Sequence, residues 1–142
     1  MKTPFYLLLL KTHNAQRMRI RPHMEGLGLS PGQPKILSFL RMHPGCMQRE
    51  LAEGCDIEPA TVSRLLENME RAGLITRQPS PDSKRAVCVS ITEKGIAAQQ
   101  AMATGWRKVE REALAGFTPE EKEQFTQYLC RMYGNLTGKD IE

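Results

Sequence analysis

The sequence lacks the residue patterns on which most enzyme and metal sites depend. Three histidines are scattered along 142 residues, and none forms a His-x-x-x-His pair or a recognisable arrangement with a serine, a cysteine or a carboxylate. A glycine-rich phosphate-binding loop is also missing. The cysteines are too widely spaced for paired metal-ligand motifs, at Cys46, Cys55, Cys88 and Cys130. These absences argue against an enzyme, a metal centre and a bound cofactor.

The N-terminal region lacks an apolar run long enough for a membrane span or a signal sequence. Residues 5–10 are apolar, but Lys11 follows at once and no small-residue cleavage site comes after it. We therefore expect a cytoplasmic protein with reduced cysteines and no membrane partner. The segment itself predicts a helix that is apolar on most of its circumference and buried in an interface.

Acidic residues are missing from residues 1–24, which carry five lysines and arginines. The formal net charge of the whole chain is only +4, and mild basicity is common among proteins that have no nucleic-acid partner. A disordered basic arm is one interpretation of the segment. The apolar residues interleaved with the basic ones favour a helix instead.

Residues 47–95 contain a helix, a tight turn, a second helix and a charged hairpin in unbroken succession. Residues 48–53 predict a short amphipathic helix closed by Gly54, and the longer helix is predicted from Glu58 to Ala72. Its buried face is predicted from helical spacing at Val62, Leu65, Leu66 and Met69. The opposite face is small and polar near its N-terminus, which suits a helix that enters the major groove. Taken alone, this face would also suit an ordinary solvated helix.

A hairpin follows Gly73, the glycine that ends the longer helix. Residues 74–77 and 86–91 predict its strands, and residues 79–85 predict the loop, with Lys84 and Arg85 at the tip. A half-buried hairpin with a basic tip beside a helix-turn-helix is the wing of a winged helix. Such a tip can reach phosphates or an adjacent minor groove.

These segments resemble the MarR (multiple antibiotic resistance regulator) family of transcription factors along nearly the whole chain. The matching segments are Leu27 to Gln33, Gln48-x-x-Leu51-Ala52, Thr61 to Leu65, Gly73-Leu74-Ile75-x-Arg77 and Ile91-Thr92-x-x-Gly95. One position departs from the family pattern, because many members have Asp two residues before the wing-tip arginine. This chain has Ser83 there, and Asp82 is displaced by one residue.

The resemblance implies a mainly α fold with a small β-wing and a single domain over residues 1–142. Residues 30–95 would form the winged helix-turn-helix lobe that binds DNA. Residues 1–29 and 96–142 would form mainly dimerisation helices at the N- and C-terminal ends of the chain.

Helix starts outside the helix-turn-helix are predicted by two capping boxes, Ser30 to Gln33 and Thr118 to Glu121. Another long helix is predicted to start at Thr92. The apolar faces of the terminal helices exceed what one winged lobe can cover, so we expect a homodimer. The alternative is a monomer whose helices fold onto their own lobe.

The expected function is that of a sequence-specific double-stranded DNA-binding transcriptional regulator, a repressor that binds a pseudo-palindromic operator. Base contacts are predicted for Ala60, Thr61, Ser63, Arg64 and Asn68. Phosphate or minor-groove contacts are predicted for Gln48, Arg77, Lys84 and Arg85. The main alternative, a winged helix that binds proteins without DNA, would be expected to lack Arg64 and the basic wing tip.

The resemblance also implies a small aromatic or phenolic effector, bound between the first, second and fifth helices. The candidate ligand-binding residues are His13, Arg17, Met42 and Trp106. Core packing is the alternative for Met42 and Trp106. A thiol-based redox sensor is another alternative, for which Cys46 and Cys55 are candidates because they lie in predicted turns. The first helix has no cysteine, unlike that of the peroxide-sensing branch of the family.

Overall fold

In the computed structural model, residues 1–141 form six helices and a two-stranded antiparallel sheet. The helices are α1 (Phe5–Gly26), α2 (Gln33–Met42), α3 (Gln48–Cys55), α4 (Pro59–Arg71), α5 (Glu93–Ala113) and α6 (Pro119–Thr137). The sheet consists of β1 (Ile75–Ser80) and β2 (Ser83–Ile91), between α4 and α5. The predicted fold class, mainly α with a small β-wing, is confirmed. The chain divides into two compact units, Met1–Arg107 and residues 108–142.

The core of the first unit lies among α2, α3, α4 and the sheet. Its most deeply buried side chains are Ile36, Leu37, Leu40, Leu51, Leu66, Met69, Ile75, Val62, Val89 and Cys55. The predicted inward face of α4 is confirmed, since Val62, Leu66 and Met69 are fully buried and Leu65 is nearly so. The buried face of α4 therefore fixes which of its side chains point to solvent.

Gly73 ends α4 as predicted. It has φ +77°, the Gly73 N–H donates to the Glu70 carbonyl at 3.0 Å and the Leu74 N–H donates to the Met69 carbonyl at 2.9 Å. This pair of bonds is the Schellman arrangement, in which glycine tolerates the left-handed conformation that closes a helix.

Gly54 does not close α3, so that prediction was wrong. The helix continues to Cys55, and Asp56 takes the left-handed conformation with φ 54°. Gly54 is needed for packing: a Cβ at this position would lie 2.1 Å from Cε2 of Phe39 on α2. The glycine therefore lets α2 and α3 approach closely.

The predicted capping box at Ser30 forms only in part. The Ser30 N–H donates to Oε1 of Gln33 at 3.0 Å, but the residue that precedes α2 is Gly32, and no side chain caps the first turn. Gln33 is buried, and its amide oxygen is satisfied by this bond. In the second unit, the capping box at Thr118 is confirmed. Thr118 Oγ1 accepts from the Glu121 N–H at 3.0 Å, and Oε1 of Glu121 accepts from the Thr118 N–H at 2.9 Å.

The wing strands are longer than predicted. β1 extends to Ser80 and β2 begins at Ser83, so only Pro81 and Asp82 lie between them. The predicted loop over residues 79–85 was wrong because most of these residues have extended backbone within the two strands.

The helices at both ends of the chain carry exposed apolar side chains. In α1 only Ile20 is buried, while Phe5 and Tyr6 are about two-thirds exposed. In α6 no residue is buried, and its apolar side chains Phe125 and Leu129 are more than two-fifths exposed. None of the helices within residues 1–141 is long and apolar enough to cross a membrane.

Candidate nucleic-acid interface

The start of α3 is held by the wing. The Val89 N–H on β2 donates to the Cys46 carbonyl at 2.9 Å, and Met47 forms an isolated antiparallel bridge with Cys88. The residues before α3 thus act as a minimal third strand, which sequence reasoning missed because a bridge of one residue leaves no periodic signal.

Three of the predicted DNA-binding residues in the N-terminal half of α4, Ala60, Thr61 and Arg64, have side chains that make no hydrogen bond or ion pair within residues 1–141. Ala60 and Arg64 are exposed and Thr61 is half-buried. Within residues 1–141, the Arg64 guanidinium has no ion pair or hydrogen-bond partner. An unpaired guanidinium on an exposed helix face can donate two hydrogen bonds to guanine or a phosphate without first breaking an internal bond.

Four other predicted DNA-binding residues already have hydrogen-bond or ion-pair partners within the chain: Gln48, Ser63, Asn68 and Arg77. Nε2 of Gln48 donates to Oγ of Ser63 at 3.0 Å, which links α3 to α4. Oδ1 of Asn68 accepts from Arg71 at 2.6 Å.

Arg77 on β1 pairs with Glu70 on α4, with 3.3 Å between guanidinium and carboxylate. The pair spans the wing and the last turn of α4. A contact between Arg77 and DNA would have to share or break this ion pair.

The basic residues of the wing lie on a bulge instead of at its tip. Pro79 pairs with Val87 and Ser80 pairs with Ser83, so residues 84–86 have no partner on β1. Both Lys84 and Arg85 are exposed, and neither side chain has a bonding partner in the part of the chain that the structure describes. The Arg85 N–H donates to Oγ of Ser83 at 3.3 Å. The hydroxyl at position 83 therefore bonds the backbone of Arg85.

A groove of about 750 Å³ lies between α3, the N-terminal half of α4 and the wing. Its lining includes Gln48, Arg49, Pro59, Ser63, Arg77, Ser83 and Arg85. Predicted DNA-binding residues from four elements, α3, α4, β1 and β2, therefore face the same space. Arg49 was not predicted; its position in the first turn of α3 was the available signal.

The four candidate ligand-binding residues do not line this groove. His13 and Arg17 are exposed on α1, Met42 is 78% exposed at the end of α2, and Trp106 is 37% exposed on α5. The alternative of core packing for Met42 and Trp106 is therefore wrong, because both side chains are exposed, whereas Leu40 on α2 and Met102 on α5 are buried.

The two cysteines proposed as accessible thiols are buried. Cys55 is the last residue of α3, and burial raises the pKa of its thiol to about 11. Burial, followed by the nearby Glu50 carboxylate, also raises the pKa of Cys46. Because the thiolate is the reactive form, both shifts lower reactivity toward oxidants. Accessibility of these cysteines was wrongly predicted because the packing of α2 and β2 against α3 encloses them. In residues 1–141, no cluster of three histidine, cysteine or acidic residues could hold a metal ion.

Comparison with known proteins places this arrangement in a group of regulators. The family model that matches, over residues 27–86, is that of the MarR family. The chain is 31% identical over 110 residues to YybA of Bacillus subtilis, an uncharacterised HTH-type transcriptional regulator, covering 78% of this chain and 73% of YybA.

Solved structures have the same fold. A MarR-family regulator from Silicibacter pomeroyi has a TM-score of 0.80 and 25% identity, covering 94% of this chain and 90% of that one. A mutant of MepR from S. aureus, solved bound to an oligodeoxyribonucleotide, has a TM-score of 0.63 and 25% identity, covering 96% of this chain and all of that one. YybA and the Silicibacter pomeroyi protein are transcriptional regulators. The chain belongs to the MarR family of HTH-type transcriptional regulators.

Proposed function

We propose that the protein is a homodimer that inserts the N-terminal half of α4 into the major groove of each half-site of a pseudo-palindromic operator. Ala60, Thr61 and Arg64 contact bases, while Lys84 and Arg85 contact phosphates or the adjacent minor groove. The observation that carries this proposal is the free guanidinium of Arg64 on the exposed face of α4, together with the free side chains of Lys84 and Arg85 on the bulge of β2. The DNA-bound MepR mutant, which has the same fold, supports it.

The other predicted contacts take a different part in the proposal. Ser63, Gln48, Asn68 and Arg77 have partners within the chain, so we expect them to hold the interface in shape and to contact DNA only by sharing those bonds. We expect repression, because a dimer bound across a promoter excludes the polymerase.

The specificity of α4 is tested by replacing Arg64. Arg64→Ala should weaken binding by about 1–3 kcal/mol per half-site on the operator and much less on random DNA, because only base contacts discriminate sequence. Fluorescence anisotropy with the operator duplex and with a random-sequence duplex gives the ratio of the two affinities. Arg131→Ala, at an exposed arginine on α6, is the matched control and should leave the ratio unchanged. Equal weakening by Arg64→Ala on both duplexes would show that Arg64 contacts phosphates.

The contribution of the wing is tested through salt dependence. Lys84→Ala and Arg85→Ala should each weaken binding to all sequences and reduce the salt slope by roughly one per half-site for each phosphate that is no longer neutralised. If the slopes stay unchanged, the wing does not contact phosphates. If the wild-type protein itself shows no salt-dependent DNA binding, the alternative of a protein-binding winged helix is favoured.

Self-association is supported by the exposed apolar side chains of α1 and α6. An exposed apolar face of this kind commonly marks an interface, and a twofold dimer matches a twofold operator. Sedimentation at micromolar concentration should give a dimer. Leu129→Asp should lower the dimer fraction, whereas Gln124→Asp, at a polar exposed position of the same helix, should not. A wild-type monomer with full operator affinity would contradict the proposal.

An aromatic carboxylate or a phenol is the effector class that family membership suggests. The Arg17 guanidinium is exposed and has no bonding partner among residues 1–141, so it is available to pair with a carboxylate. Linkage requires that operator DNA weaken effector binding by the same factor by which the effector weakens DNA binding. Titrating salicylate and benzoate with and without operator tests this, and Arg17→Ala should blunt the response. If no such anion acts at millimolar concentration, this part of the proposal fails.

A further inference from the structure

The end of α4 is bonded to the first turn of α5. Nζ of Lys94 donates to the Ala72 carbonyl at 2.6 Å, Oγ1 of Thr92 donates to the Gly73 carbonyl at 2.6 Å, and the Thr92 N–H donates to the Leu74 carbonyl at 3.1 Å. Three consecutive carbonyls after the last turn of α4 therefore accept from two residues. These carbonyls follow the helix and take no part in its own hydrogen bonds, so the bonds from Thr92 and Lys94 satisfy them.

The same turn of α5 is packed too closely for any side chain at Gly95. A Cβ there would lie 2.2 Å from the Leu74 carbonyl oxygen and 2.7 Å from Cγ1 of Ile91. The Gly95 N–H donates to Oγ1 of Thr92 at 3.1 Å. The Thr92 hydroxyl thus donates in one direction and accepts from the other, which fixes its orientation.

We propose that Thr92, Lys94 and Gly95 are positioning residues that fix the angle between α4 and α5 and thereby set the half-site spacing that the dimer accepts. This inference rests on the proposed function, because spacing is defined only for two recognition helices held in one dimer. These helices must lie about 34–36 Å apart to read successive turns of the major groove. A rotation at the first turn of α5 would displace α4 relative to the remainder of that 21-residue helix.

A purely stabilising role for the same bonds makes a different prediction. Loss of stability lowers the folded fraction and weakens binding to every operator by one factor. A looser connection between α4 and α5 weakens binding at the native spacing, but it reduces the further loss of affinity that an altered spacing causes. The ratio of affinities between spacings therefore separates positioning from stability.

The DNA experiment uses the full chain and the duplex that it enriches from a random-sequence pool. Affinity is measured on that duplex and on versions with one base pair inserted or removed between half-sites. Thr92→Val keeps the side-chain shape and removes the hydroxyl. This variant should bind the duplex of native spacing about 3- to 10-fold more weakly than the wild type, and its ratio of affinities between native and altered spacings should fall by a similar factor. Thr92→Ser, which keeps the hydroxyl, should restore the wild-type ratio.

Lys94→Met should act in the same direction as Thr92→Val. Its control is Lys108→Met, which removes the same charge from an exposed position of the same helix and should leave the ratio unchanged. The inference would be overturned if the affinity of Thr92→Val changed with half-site spacing by the same factors as that of the wild type, whether or not its affinity at native spacing is lower. If the wild-type protein enriches no duplex, the proposed function has failed, and the connection between α4 and α5 is tested by a measurement without DNA.

That measurement is the distance distribution between spin labels at Glu67→Cys on α4 and Gln100→Cys on α5, two exposed positions. Cys88 and Cys130, the half-buried native cysteines, are replaced by serine, and labelled chains are diluted with unlabelled ones. Thr92→Val should broaden the distribution and Thr92→Ser should not. An unchanged width in Thr92→Val would overturn the inference whatever the DNA result.

Discussion

The two ends of α4 differ in how far their side chains are bonded to the molecule. At the N-terminal end, Ala60, Thr61 and Arg64 make no side-chain hydrogen bond or ion pair within the described chain. At the C-terminal end, Glu70 is paired with Arg77 and the carbonyls after the last turn are bonded to Thr92 and Lys94. The difference indicates a division of labour: one end is available for a ligand, and the other fixes the position of the helix.

The largest expected effect comes from the buried face, on which both ends depend. Leu66 is fully buried, so Leu66→Ala should lower the free energy of unfolding by about 2–5 kcal/mol through reduced apolar burial and a residual cavity. Glu67→Ala, at the adjacent exposed position, should change it by less than about 0.5 kcal/mol. Urea denaturation followed by circular dichroism measures both. Similar midpoints for the two variants would contradict the assignment of these faces.

A second effect concerns α3, which supports the N-terminal end of α4. Because burial raises the pKa of Cys55 from 9.0 to about 11, the folded state retains this thiol proton at a pH where the unfolded chain loses it. The free energy of unfolding should therefore decrease as pH rises from about 9 to about 11, by on the order of 2 kcal/mol.

Cys55→Ala should remove that part of the pH dependence, and Cys130→Ala, at a half-buried cysteine of α6, should leave it in place. Chemical denaturation at several pH values measures the slopes. Identical slopes in the wild type and Cys55→Ala would show that the Cys55 thiol is not protected by folding.

The smallest effect is expected at the C-terminal end. Both partners of the Glu70–Arg77 pair are partly exposed, so a double-mutant cycle with Glu70→Gln and Arg77→Gln should give a coupling of about 0–1 kcal/mol in stability that decreases with salt. For DNA binding, Arg77→Gln should weaken affinity less than Arg85→Gln, because only the Arg85 side chain is free. The reverse order would mean that Arg77 leaves Glu70 to bind DNA.

Local sequence signals were sufficient for the order of the elements and for features that involve neighbouring residues. The buried face of α4, the helix end at Gly73 and the capping box at Thr118 each depend on residues within one or two turns. For this reason the winged helix-turn-helix was predicted correctly.

Features that depend on residues distant in sequence were not predicted. The role of Gly54 is decided by Phe39 on another helix, and Gln48 is engaged by Ser63, fifteen positions away. The bulge on β2 depends on how β1 pairs with it, which no pattern within β2 indicates. The sequence therefore proposes candidate residues for the interface, but it does not indicate which of them are already bonded to one another.

The close approach of Phe39 to Gly54 restricts how this lobe can evolve. The ring has His43 stacked on it with a centroid distance of 4.2 Å, so a movement of the ring away from a larger residue at position 54 would disrupt this stacking. Gly54→Ala alone should therefore be unfavourable, and a smaller side chain at position 39 should compensate for it. Substitutions at these two positions are expected to be accepted in pairs, so they should covary among homologous sequences.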